Sequence, residues 1–214
     1  LQHGDITLKK IWEKIVSITM LHNEYMYKKL NVTLKNSDIM GESLYKDMLP
    51  NIITDLQEKK IAIEKNGEII VFLKEFKNRS GKPMGIIIQK KDKSFLYSTI
   101  DIACFKYRYQ NLHADRIIYY TDSRQKQHLI QTWTIAKKAK YIPDNFTLEH
   151  HTFGMMLSEN KRPFKTREGN TIKLSALINE ATERAMKIIN TKKSHLSKKK
   201  RMKLAEIIGI SAIK

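Results

Sequence analysis

Between Arg116 and Met155 the chain spells a strand, a helix and a strand, and this order constrains the fold more than any other feature. Arg116-Ile-Ile-Tyr-Tyr120 is a compact run of β-branched and aromatic residues. Ser123 to Ala139 carries Leu129, Trp133 and Ala136 on one helical face. Leu148 to Met155 is the next strand. Strands joined by a helix of this length pair in parallel, through a right-handed crossover. In open parallel sheets ligands sit beyond the carboxyl ends of the strands. Those ends are Thr121 to Gln125 and Phe153 to Met155, which the crossover can bring to one crevice.

The second strand ends in Phe153, Gly154 and Met155, and a cationic loop follows with Lys161, Arg162, Lys165 and Arg167. Gly154 lets a flat ligand approach the backbone. The loop cations can meet phosphates as a reaction develops charge. Together they read as a nucleotide site; alone, they would read as a strand and a solvated charged loop. The glycine-rich Walker pattern is absent, so this is not a P-loop site. No Ser-His-Asp or Cys-His arrangement can be defended from spacing. His150 and His151 point to opposite sides of the strand, so only one can face the crevice, and His151 shares its face with Phe153. The same alternation argues against shared metal coordination, and ordinary packing stays open for the inward histidine.

Tyr97 and Asp101 are spaced to share one face of a continuous helix. A phenol and a carboxylate facing one pocket suit a planar guanidinium. For Asp101 the competing reading is a helix N-cap. Gln125 lies at the start of the next helix, where its amide can orient the amine or carboxylate of an amino acid. His128 follows almost one turn later. A Gln or His at a helix start also serves as a surface residue or cap.

Elsewhere the pattern is of helices and hairpins. Asp5 reads as the N-cap of a helix running to about Leu30, whose apolar face of Leu8, Ile11, Trp12, Ile15 and Ile18 suits packing. Pro50 suits the first turn of a helix over 51–60. Asn66-Gly67 between apolar runs signals a hairpin of 61–63 with 68–72. Met84 to Gln89 and Phe95 to Ser98 read as a further strand pair, and the next helix as Asp101 to Tyr109. Leu174, Leu177, Ile178, Ala181, Ala185 and Ile188 define an amphipathic helix. The lysine-rich stretch 191–203 reads as an exposed linker or a helix start, leading into a helix over 203–213.

Lys+Arg is 40 against Asp+Glu 22, a net charge of +18 over 214 residues. That excess suits a polyanion, with nucleic acid the leading candidate. A genome biased towards Lys, Ile and Asn codons would also produce it. Cys104 is the only cysteine, which excludes an intrachain disulfide and suits a reduced, cytoplasmic setting. No paired Cys/His set suggests a metal, no apolar run approaches a membrane span and no signal peptide is visible. The chain starts at Leu1 and ends within a helix, so it reads as a piece of a longer protein.

The chain resembles arginyl-tRNA synthetase of the bacterial type, a class I aminoacyl-tRNA synthetase. The resemblance is carried by Met40-Gly-Glu-Ser43, Met84 to Lys91, Leu96-Tyr-Ser-Thr-Ile-Asp101 continuing to Tyr109, Leu112 to Arg116, Asp122-Ser-Arg-Gln-Lys-Gln-His128 and His150-His-Thr-Phe-Gly-Met-Met156. It covers nearly the whole chain in order. It implies an α/β fold, part of a Rossmann-type parallel-sheet catalytic domain with a small hairpin-containing insertion and a helical C-terminal extension. Residues 1–190 would be catalytic domain, with a mixed insertion over 31–90 and the second half of the nucleotide-binding fold over 95–170. Residues 191–214 would begin the helical anticodon-binding region.

The resemblance also implies roles. Tyr97 and Asp101 would hold the arginine side chain, and Gln125 the amino-acid backbone groups. His151, Phe153, Gly154 and Met155 would lie against the adenosine of ATP. Lys161, Lys165 and Arg167 stand where class I enzymes carry the KMSKS loop, with Lys165 and Arg167 as the catalytic cations. Lys165-Thr-Arg167 is a degenerate form of that motif, and the HIGH motif is absent. The implied partners are tRNA(Arg), L-arginine and ATP, with Mg2+ accompanying ATP, no metal held by the protein, no membrane, and a monomer for the full enzyme. The implied activity is ATP-dependent ligation of arginine to its tRNA. A stand-alone basic RNA-binding module without catalysis is the alternative. A class I synthetase for another amino acid is a third, against which the carboxylate of Asp101 argues if that substrate is apolar.

Overall fold

Asp5 starts the first helix as its position predicts, accepting a hydrogen bond from the Leu8 amide at 2.9 Å. The computed structural model describes residues 5–78, 80–153, 173–192 and 195–214. They fall into two units, one of Leu1–Ile39 with Met156–Lys214 and one of Met40–Met155.

In the first unit, α1 (Ile6–Leu30) closes at Asn31, whose left-handed backbone (φ 51°) suits an asparagine C-cap. The stripe expected to pack is mostly open: Leu8, Ile11, Ile15 and Ile18 are exposed and Trp12 is half-buried, while Met26 is the buried residue of the helix. Helices α5 (Leu174–Thr191) and α6 (Lys198–Ile213) pack through Ala185, Ile189 and Ala205. Ile188, expected inward, is exposed, because the buried line of α5 runs through Ile178, Ala185 and Ile189. Ser197 caps α6, so the basic run Lys198 to Arg201 is its first turn.

The second unit holds the elements that the patterns predict, apart from the strand expected over 95–98. Helix α2 (Leu49–Glu58) carries Pro50 in its first turn. Strands β1 (Ala62–Lys65), β2 (Glu68–Lys77) and β3 (Pro83–Gln89) form an antiparallel sheet in that order. Asn66 and Gly67 both have positive φ (55° and 81°), the geometry that a two-residue hairpin requires. Helix α3 (Tyr97–Gln110), β4 (Arg116–Asp122), α4 (Lys126–Lys138) and β5 (Thr147–Phe153) follow.

One expected pairing is not formed. Residues 95–98 make only an isolated bridge, Gln89 with Phe95, while β3 pairs with β2 and the helix begins at Tyr97. The first helical turn takes the carbonyls that another strand would have used. Ser98 Oγ donates to the Ile87 carbonyl at 2.9 Å, and Thr99 Oγ1 donates to that of Ile88. The expectation that Asp101 opens the helix is therefore one turn late.

Strands β4 and β5 pair in parallel, with Tyr120 opposite His151 and Asp122 opposite Phe153. The crossover places their carboxyl ends side by side. Leu56, Leu73, Ile88 and Ile102 centre one core cluster; Phe105, Ile117, Ala136 and Ile142 centre another beneath the parallel pair. Asp55, Lys59 and Tyr141 join α2 to the segment after α4. Burial alone would raise the Asp55 carboxyl, but hydrogen bonds from Lys59 and Tyr141 leave it below its ordinary value. No described helix is long and apolar enough to cross a membrane.

Candidate active site

The site begins where β4 runs out. Asp122 accepts the Arg124 amide at 2.8 Å and the Arg124 guanidinium at 2.9 Å, which hold its carboxyl below the ordinary range. This closes the 3-10 turn Ser123–Gln125. Gln125 ends that turn at the mouth of α4, exposed and without a capping bond from its side chain. It stands at the carboxyl end of the parallel pair, where ligands bind in such sheets.

Asp101 comes to the same place from α3. The helix is continuous from Tyr97, so Tyr97 and Asp101 share a face. The N-cap is Leu96, which removes the capping role for Asp101. The Tyr97 residue is 70% exposed, so its ring is open to a ligand. Asp101 Oδ2 lies 2.5 Å from Nε2 of His128 in the first turn of α4. That contact joins the Tyr97–Asp101 face to the turn holding Gln125.

Behind this face α3 is braced on β4. Arg108 donates to the Tyr119 hydroxyl at 3.1 Å, and Cys104 Sγ lies 3.7 Å from the same oxygen. Burial, with Cys104 adding to it, raises the Tyr119 phenol far above its ordinary value and pushes Tyr45 up to about 12. Both phenols are therefore neutral near pH 7 and act as supports.

On β5, Glu149, His151 and Phe153 lie on one face. Arg116 grips Glu149 through both carboxylate oxygens at 2.6 and 2.7 Å, and Glu149 lies 2.7 Å from His151 Nε2. The Arg116 bonds first, then that of His151, hold the Glu149 carboxyl at about 2. The Tyr120 ring lies 5.3 Å from that of His151, tilted by 30°. Phe153 is 59% exposed beyond them. Rings on an open sheet face can stack a planar base. His150 turns to the other side, its Nε2 2.8 Å from Thr121 Oγ1. Gly154, Met155, Lys161, Lys165 and Arg167 lie outside the described residues.

A cleft of about 610 Å³ opens beside Gln125, between β2–β3 and the start of α4, with Lys77, Arg124 and Lys126 at its rim and Phe76 and Met84 in its wall. Among the described residues no three His, Cys, Asp or Glu side chains gather as a metal site.

Sequence reasoning missed the bond from His128 to Asp101 and the Arg116–Glu149–His151 chain. The first crosses two helices and leaves no short-range signal. The second is findable once parallel register is known, since Glu149 lies opposite Ile118, two residues from Arg116.

The parallel pair thus carries an open, ring-lined strand edge at its carboxyl end, and the Asp101 carboxylate meets the first turn of the helix that follows β4. Over residues 1–214 the chain matches the family described as tRNA synthetases class I (R), catalytic domain. It therefore belongs to the class I arginyl-tRNA synthetase catalytic-domain family. It is 70% identical over its whole length to the arginine–tRNA ligase of Buchnera aphidicola from Acyrthosiphon pisum (strain Tuc7), and 55% to that of Salmonella paratyphi B. The chain spans 37% of the length of each. Its fold matches arginyl-tRNA synthetase from Plasmodium falciparum with a TM-score of 0.81 at 26% identity, over 99% of this chain and 34% of that one. The Thermus thermophilus enzyme shares the fold at a TM-score of 0.66 and 17% identity, over 94% of this chain and 38% of that one.

Proposed function

We propose that this chain supplies the arginine-selecting side and part of the ATP side of an arginine–tRNA ligase. The observation that carries the reading is the placement of Asp101 against the first turn of α4, beside Gln125 and one helical turn after Tyr97. A carboxylate accepts the fork of a guanidinium, and the Tyr97 hydroxyl supplies a further polar contact. Gln125 then orients the amine or carboxylate of the bound arginine. The rings of His151 and Phe153, continued by Gly154 and Met155, receive the adenine. Lys161, Lys165 and Arg167 meet the phosphates, and magnesium travels with ATP.

The chemistry needs no protein nucleophile. A carboxylate oxygen of arginine attacks the α-phosphorus of ATP, the bond to the bridging oxygen breaks, and pyrophosphate leaves with its electron pair. A ribose hydroxyl at the tRNA end then attacks the arginyl carbonyl, loses its proton and expels AMP. Rate comes from holding the reactants in line and from cations placed where charge develops. The cationic rim of Lys77, Arg124 and Lys126 supports tRNA(Arg) as the polyanion. The place of work that goes with this partner is the cytoplasm.

In the full-length protein, Asp101→Ala is expected to abolish arginine activation. Unchanged arginine affinity in that variant contradicts the assignment.

A further inference from the structure

We propose that His128 is a positioning residue for arginine recognition, acting through Asp101. The inference rests on the reading that Asp101 takes the guanidinium.

Its Nε2 lies 2.5 Å from Asp101 Oδ2, with the side chains 36% and 26% exposed. A carboxylate can only accept, so the ring nitrogen carries the shared proton; this assigns the tautomer from the partner's chemistry. One oxygen of Asp101 is thereby occupied. The other, Oδ1, has no hydrogen-bond partner among the described residues. A carboxylate on a helix ordinarily samples several rotamers and a broad torsion about its terminal bond. Here an imidazole from a second helix fixes both.

The fixed plane matters because a guanidinium is itself a rigid planar fork, whose bonds form well only when the carboxylate plane matches. His128 is held in turn by its place in the helix: Leu129 beside it is buried, and the His128 carbonyl accepts from Thr132 Oγ1 at 3.1 Å. Ser98 and Thr99 tie the start of α3 to β3, so both ends of the bond sit on anchored elements. His128 touches no substrate in this account; it prepares the residue that does.

Steady-state activation kinetics in the full-length protein test this. His128→Ala is expected to raise the KM for arginine about tenfold or more, the scale of a lost hydrogen bond to a charged group, with the KM for ATP and kcat near wild type. His128→Gln, whose amide nitrogen can stand where Nε2 stood, is expected to restore most of the arginine KM. His128→Asn is too short to reach and is expected to behave like alanine. An arginine KM unchanged in His128→Ala overturns the proposal. So does an equal defect in the alanine and glutamine variants together with a lowered melting temperature, which marks a packing role. If instead Asp101→Ala keeps its arginine affinity, the assignment of Asp101 fails, and the positioning role with it.

Discussion

Arg116 and Glu149 are 33 residues apart in sequence and share two hydrogen bonds in space. They tie the parallel strands together and hold His151 in place through the second oxygen of Glu149. The folded chain keeps the Glu149 carboxyl at about 2, against an ordinary 4.5. The folded state therefore binds this proton more weakly than the unfolded state does. The stabilisation is complete above the ordinary value and is lost as pH falls through it towards about 2. Urea unfolding of wild type and Glu149→Gln, from about pH 5 down to about pH 2, checks this. The wild type is expected to be the more stable near the upper end, with the gap closing towards the lower; a constant gap contradicts the pairing. At this scale the sequence was legible only in part. Tyr97, Asp101 and Gln125 stand out because their residue types suit a guanidinium and an amino acid. His128 does not, because a histidine at a helix start has many uses and its partner lies 27 residues away on another helix.

The elements were more legible, because periodicity and punctuation are local. The N-cap at Asp5, the Asn66-Gly67 turn and the parallel pair around α4 all stand where the patterns put them. What failed was pairing: of the strand read over 95–98, Phe95 keeps only an isolated bridge and Tyr97 and Ser98 open α3, because apolar runs of that length suit either state and the bonds from Ser98 and Thr99 to the carbonyls of Ile87 and Ile88 favour the helix. The openness of α1 was likewise unreadable, since an apolar stripe does not say what covers it. Packing is testable at two places. A Cβ at Gly209 in α6 would stand 2.7 Å from the Thr182 amide nitrogen in α5. Gly209→Ala is expected to cost on the order of 1–3 kcal/mol by forcing the helices apart, read as an earlier loss of helical signal on heating; an unchanged transition contradicts the packing. Leu56, fully buried in the core of the other unit, is expected to lose about 2–5 kcal/mol on truncation to alanine, measured by urea unfolding.

For the molecule as a whole, charge and fold point the same way. A net charge of +18 suits a polyanionic partner, while the acidic face at Asp101 suits a cationic small molecule. A simple RNA-binding module needs the first and has no use for the second. A ligase that joins arginine to tRNA needs both. The family match over the whole chain agrees with this, and the relatives that bear the name arginine–tRNA ligase extend well beyond the 37% of their length that this chain spans. The measurement that bears most directly on the ligase reading is ATP–pyrophosphate exchange by the full-length protein in the presence of tRNA(Arg), with each amino acid supplied in turn. Exchange that depends on arginine is the expected result. Exchange driven by a different amino acid, or tRNA binding without arginine-dependent exchange, would contradict it.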